Sequence, residues 1–165
     1  MTRMRRFLLY VHTGRRAALN ALQTVLAELA AHEVRGVIVD EQVDEIRALP
    51  ESDVPAGLLE TLAGSDVDVL DAVSAADLVE LGIVLGGDGT ILRALEAVRE
   101  ADVPVHGVNL GHVGFLAESE VEGLAATVTR LLEGDYQIEN RSALDISVLA
   151  EDDTAVTEHW ALNAA

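Results

Sequence analysis

The chain contains no cysteine, which excludes disulfides, thiolate nucleophiles and cysteine-ligated zinc. Lysine is absent as well, so nearly all the fixed positive charge is arginine. That removes Schiff-base chemistry and the lysine of the GxxxxGK[ST] phosphate loop. Aromatic residues make up only 3% of the chain, and there are three prolines. Positive charge is scarce: 11 basic residues stand against 29 acidic ones, for a net charge of −18. A nucleic-acid partner demands a basic face, so that class is excluded. No apolar run approaches the length that spans a bilayer, so a membrane partner is not expected. The opening "MTRMRRFLLYVHTGRR" imitates a signal peptide, but its apolar run, Phe7 to Val11, is too short for one and leads into charge. It reads as the first buried strand of a cytoplasmic protein, with Arg3, Arg5 and Arg6 as a solvated end.

What is present is apolar patterning. Half of the 165 residues are apolar, enough to build a core despite the charge. Short apolar runs alternate with helix-period segments. "FLLYVH" reads as a strand, Leu19, Leu22, Val25, Leu26 and Leu29 recur at helical spacing, and "GVIVD" reads as the next strand. Glu41 to Ser65, with Pro50, Pro55 and many acids, reads as an irregular excursion holding one short helix near Leu58. "DVDVL", "LGIVL" and "PVHGVN" are further strands. Helices are predicted from Thr90 through Val98 and from Val121 to Gly134. This rhythm predicts an α/β fold, a Rossmann-like parallel sheet with helices on both faces. After Tyr136 the period becomes two. "ALDISVLA", an acidic turn "EDDT" and "AVTEHWALN" predict an antiparallel hairpin. A lone hairpin is marginal in water, so the expectation is an α/β domain over 1–140 and the start of an incomplete all-β domain over 141–165.

The stretch "GIVLGGDGTILRALEA" carries the chemistry. A buried strand runs into Gly86, Gly87, Asp88 and Gly89, and a helix pattern begins at once. Glycines at a strand's carboxyl end permit positive φ and close approach of a ligand, at an entropic cost near ~1 kcal/mol each. The helix start favours an anion through its unpaired N–H groups and dipole. Neither GxGxxG nor GxxxxGK[ST] is present, and here an acid sits inside the anion site. Asp88 either holds a Mg²⁺ that bridges phosphates or accepts a proton from an attacking hydroxyl, both of which are phosphoryl-transfer roles. The alternative is that Asp88 simply caps a helix beginning at Thr90.

"LGGDGTILRALE" followed by "VPVHGVNLGHVGFLAE" resembles the NAD kinase family, in the family's order and near its spacing. GGDGT alone is shared with diacylglycerol and sphingosine kinases, and a close variant occurs in phosphofructokinases. Ile91-Leu92-Arg93 and "NLGHVGFLAE" follow the NAD kinase pattern instead. The similarity runs from "LLYVHTGRR" to the end of the chain and is to bacterial ATP- or polyphosphate-dependent members.

The resemblance implies phosphoryl transfer from ATP or polyphosphate, with Mg²⁺, to the 2′-hydroxyl of the adenosine ribose of NAD, giving NADP. By resemblance Asp88 is the proton acceptor and Gly89 contacts the dinucleotide. Arg93, one helical turn on, contacts the nucleotide, a solvated helix arginine being the other reading. Phe115 is a wall for a flat base or else a core plug under its loop, and Asn163 hydrogen-bonds NAD. His112 is assigned no chemistry, and the five histidines have no zinc-ligand spacing. Arg15 and Arg16 follow the first strand's end and either face the phosphate donor or belong to a solvated loop. The family's acid after Asn163 is replaced by Ala164, so the chain reads as truncated before most of a β-sandwich that supplies much of the NAD pocket and the homo-oligomer contacts (dimer or tetramer). Two other functions stay open: a nucleotide-binding fragment without turnover and, more distantly, a GGDGT lipid kinase.

Overall fold

The five apolar runs of the first 110 residues all become strands in the computed structural model, which describes residues 4–110, 119–120, 123–151 and 155–162. They are β1 (Arg6–Val11), β2 (Arg35–Val39), β3 (Val67–Leu70), β4 (Leu81–Leu85) and β5 (Val105–Asn109). A two-residue strand, β6 (Ser119–Glu120), adds to the outer edge of β5. Every pairing in this sheet is parallel, in the order β3-β2-β1-β4-β5-β6. Parallel strands need crossovers, and the crossovers cover both faces. That is why all five residues of β4 are buried.

One face of the sheet presents Phe7, Leu9, Ile38, Ile83 and Leu85 to α1 (Arg16–Ala31) and α6 (Leu124–Glu133). The other presents Leu8, Val37, Val39 and Val84 to α4 (Ala72–Leu78) and α5 (Asp88–Val98). The period-two alternation along Phe7, Leu8 and Leu9 is therefore a division between two apolar cores. α6 ends at Gly134, whose φ of +74° supplies the left-handed cap expected of a glycine there.

Three expectations are corrected. The stretch after β2 is ordered: α2 (Asp40–Arg47) precedes a short 3₁₀ turn at Glu51–Asp53 and α3 (Leu58–Leu62). Asp40 and Glu41 lie in the first turn of α2 and Arg47 in its last, signs that suit the helix dipole, while Val43 and Ile46 are buried one turn apart. Pro50 and Pro55 separate these elements without dissolving them. A helix that periodicity did not reveal, α4, is capped by Asp71, which accepts from the Ser74 backbone N–H at 3.0 Å. Its buried face consists of Ala75 and Ala76, too small to give an apolar signal. Finally, Arg5 and Arg6 are more than a solvated end: Arg5 is exposed but ion-paired, and Arg6 is partly buried and ion-paired. Arg5 pairs with Glu80 at 2.6 Å and donates to the Leu132 carbonyl at 2.8 Å, and Arg6 pairs with Asp68 at 3.0 Å. Arg3 lies outside the described residues.

The period-two segments form a separate antiparallel sheet of β7 (Ala143–Leu149) and β8 (Ala155–Leu162), with Ala143 opposite Leu162 and Asp145 opposite Trp160. Every residue of β7 is exposed, including Leu144, Ile146 and Val148 on one side of the strand. The hairpin touches the larger body through Arg99, whose guanidinium lies 5.7 Å from the Trp160 ring centre and 4.0 Å from the Asp145 carboxylate.

Candidate nucleotide site

Strand order reverses between β1 and β4. The chain leaves β1 through α1 toward β2, and leaves β4 through α5 toward β5, on the opposite side. Such a switch point opens a crevice at the carboxyl edge of the sheet, the general ligand position of doubly wound folds. Two turns meet there. Val11 pairs with Leu85, the His12 N–H donates to the Leu85 carbonyl at 2.9 Å, and the Gly86 N–H donates to Val108 at 3.2 Å. The turn 12–15 and the glycine turn 86–89 are thus held side by side.

α5 begins earlier than expected, at Asp88, with Gly87 as its N-cap. The Gly87 carbonyl accepts from Thr90 at 3.0 Å and from Ile91 at 3.1 Å. The N-cap is a glycine and the helix begins at Asp88 itself, so the reading of Asp88 as the cap of a helix starting at Thr90 does not hold. Asp88 occupies the first helical position, where its charge suits the dipole. It is half-buried, and Gly89 beside it is exposed.

The glycines divide into two kinds, and positive φ explains none of them. The positive-φ glycines among the described residues are Gly57, Gly123 and Gly134, so the expected left-handed turn at residues 86–89 is corrected. A Cβ on Gly86 would lie 2.5 Å from the Thr90 hydroxyl oxygen, so this glycine is required by packing. A Cβ on Gly87 or Gly89 would meet nothing within 4 Å. No described part of the chain excludes a side chain at those two positions.

Arg93 lies on α5 one turn beyond Gly89, exposed, and near the Tyr10 phenol of β1. Burial pushes the Tyr10 hydroxyl above its ordinary value; Arg93 opposes that shift, and Glu45 and Glu41 add to it. Asp88 and Gly89 thus open α5 at the switch point, with Arg93 one turn further along the same helix. Phe115, His112 and Asn163 lie outside the described residues.

Three residues of this edge were not singled out in sequence. Tyr10 and His12 read only as strand positions. Gln42, one of two buried polar residues among those described, accepts from the Val11 N–H at 3.0 Å and donates to the Val11 carbonyl at 2.6 Å. Its side-chain amide satisfies both backbone groups at the tip of β1 and so fixes where the turn 12–15 begins. The available signal was an uncharged polar residue beside Val43 on the buried face of an acidic helix. A cavity of about 550 Å³, lined by Leu95, Pro104, Val105, Tyr136 and Leu162 among others, lies toward the amino ends of β4 and β5, away from this edge.

Comparison with known proteins agrees with this placement. Residues 7–136 match the family model for the ATP-NAD kinase N-terminal domain. The chain is 41% identical over 170 residues to an NAD kinase of Mycobacterium bovis, covering 99% of this chain and 52% of that protein. It is 44% identical over 166 residues to an NAD kinase of Leifsonia xyli, covering 100% of this chain and 50% of that protein. It therefore spans about half the length of the curated relatives it matches. Among solved structures, yeast NADH kinase complexed with NADH superposes with a TM-score of 0.75 at 17% identity, over 98% of this chain and 47% of that one. That likeness concerns the fold, whereas the family model covers the β1 and glycine turns together, and on that match the chain belongs to the NAD kinase family.

Proposed function

We propose that the chain carries the phosphoryl-transfer site of an NAD kinase, which moves the terminal phosphoryl group of ATP or polyphosphate to the 2′-hydroxyl of the adenosine ribose of NAD. One observation carries this reading. Gly87 and Gly89 flank the Asp88 carboxylate at a helix start, and nothing in the described chain requires either to lack a side chain. A ligand brought against the backbone supplies that requirement.

In this reading Asp88 accepts the ribose 2′-hydroxyl proton as that oxygen attacks the terminal phosphorus. The new O–P bond forms, the bridging P–O bond breaks, and the leaving phosphate oxygen departs with the electron pair as ADP or a shortened polyphosphate. The proton then passes from Asp88 to solvent. Arg93 offsets charge on the phosphates, a charge-assisted contact of about 1.5–3 kcal/mol. Phe115 and Asn163 are assigned to the dinucleotide on the strength of the family resemblance. Among the described residues no three acidic or histidine side chains converge as a metal cage. A Mg²⁺ bound with the donor would offset charge on its phosphates, and Asp88 is the carboxylate at this edge that would hold it if a different group took the ribose proton.

The hairpin from about residue 141 is assigned to a second, β-rich unit, supported by the exposed Leu144, Ile146 and Val148. A homo-oligomeric assembly and a cytoplasmic setting belong to the same proposal. The test is NADP formation with saturating NAD and Mg·ATP. Asp88→Asn should lower turnover by roughly 10²–10⁴, and a rate within about threefold of wild type would remove the general-base role. A second reading is nucleotide binding without turnover. Calorimetric binding of NAD with no product formed by this chain would support that reading.

A further inference from the structure

We infer that the turn from His12 to Arg16 is a second anion seat facing the glycine turn, in which Arg15 grips the terminal phosphates of the phosphoryl donor. The inference rests on the phosphoryl-transfer reading above and adds a residue to it.

The first support is a charge census. Of the ten arginines among the described residues, seven lie within 4.0 Å of a carboxylate. In a chain with 29 acids that is the ordinary fate of an arginine. The three without a carboxylate partner are Arg15, Arg16 and Arg93, and all three follow the carboxyl ends of the adjacent strands β1 and β4. Arg16 is held by the Ser52 carbonyl, and the charge of Arg93 acts on the Tyr10 phenol. Arg15 is exposed and makes no side-chain hydrogen bond or ion pair among the described residues.

The second support is an enclosed polar atom without a partner. The Nδ1 of His12 is buried and makes no hydrogen bond, although buried polar atoms almost always find one. The ring lies against the turn itself: a Cβ on Gly14 would sit 3.3 Å from its Cε1. A ligand oxygen seated in the turn supplies the partner that the chain does not.

The start of α1 agrees with both observations. The helix runs for 16 residues with Arg15 as its N-cap, no side-chain cap and no acid in its first turn. Thr13, which could cap it, donates to Glu45 at 2.6 Å. By contrast α2 begins with Asp40 and Glu41, and α4 is capped by Asp71. The positive end of α1 is thus left for an external anion.

ATP and inorganic polyphosphate share the feature to be recognised, a chain of linked phosphates, so both serve as probes. Calorimetric titration of this chain with tripolyphosphate and separately with ATP should show binding that weakens at least about tenfold in Arg15→Ala. Arg15→Lys should recover part of it, because the charge returns without the planar fork. Equal weakening with both probes assigns Arg15 to the phosphates. Weakening with ATP alone would move it to the nucleoside and overturn the assignment. Wild-type-like tripolyphosphate binding by Arg15→Ala, or no binding by the wild type, would also overturn it. Arg15 is exposed, so circular dichroism melting should show the variant folded. The titration involves no turnover, so a failure to form NADP would count against the kinase reading alone.

Discussion

A Cβ placed on Gly86 would lie 2.5 Å from the Thr90 Oγ1 and 2.7 Å from the Thr90 Cβ. The end of β4 is therefore pressed against the first turn of α5, and this contact sets where the helix begins. Thr90 itself is buried, with only 8% of its surface exposed. The contact separates a glycine that the fold requires from two that it does not.

The separation is testable. Gly86→Ala should destabilise the chain by about 1–3 kcal/mol, the cost of overpacking a site whose neighbour is anchored in a helix. Urea unfolding monitored by far-UV circular dichroism would show the lower midpoint. A midpoint equal to wild type would mean that β4 and α5 move apart freely, and the helix start would then not be fixed by packing.

Gly89→Ala should behave in the opposite way. Gly89 is exposed, lies inside α5 without positive φ, and has open space where a side chain would go. Alanine there should leave stability unchanged or raise it by up to about 1 kcal/mol. NAD binding should nevertheless weaken, because the methyl group occupies the space reserved for the ligand. A variant both more stable and undiminished in NAD affinity would show that the open space is only solvent.

How much of this was legible in sequence depends on which residues carried the signal. β4 and β5 were readable because an apolar run buried on two faces needs no knowledge of its neighbours. The site's location followed from Asp88 among glycines at a strand end. Its helix start was placed at Thr90 because aspartate ordinarily caps, whereas Gly87 occupies the cap. α4 was hidden because two alanines form its buried face. α2 was hidden for another reason: its polar Gln42 is buried only because Val11, 31 residues earlier, offers both backbone groups to it. Arg5 and Arg6 looked solvated because their carboxylate partners, Glu80 and Asp68, are distant in sequence. Short-range pattern shows the elements; contacts across the sheet decide the polar residues.

Asp71 gives a pH-dependent prediction with a definite sign. Its carboxylate accepts from the Ser74 N–H at 3.0 Å and from the Ser74 hydroxyl at 2.6 Å, and these bonds hold its pKa below the ordinary 3.8. A depressed acid stabilises the fold fully above its unfolded pKa, and that contribution fades as pH falls through the folded value. Asp71→Ala should therefore melt below wild type at neutral pH, and the two melting curves should converge in strong acid. A difference that persists unchanged at low pH would assign the loss to something other than the ionised cap.

Gln42→Glu tests the anchor of the β1 turn by a different pH signature. The wild-type amide both donates to the Val11 carbonyl at 2.6 Å and accepts from the Val11 N–H at 3.0 Å. An ionised carboxylate in its place can accept but not donate, and it sets an anionic oxygen against the carbonyl. A protonated carboxyl restores both bonds. Folding therefore raises the introduced group's pKa above its ordinary value near ~4.3. A raised acid keeps its stability below the unfolded pKa and loses it as pH climbs toward the folded one. Urea midpoints of the variant should lie close to wild type at pH 4 and clearly below it at pH 8. Tripolyphosphate binding should weaken over the same range, because His12 and Arg15 follow directly from the residue that Gln42 holds. A midpoint gap independent of pH would mean that the carboxylate has swung into water and that the turn keeps its place without this anchor.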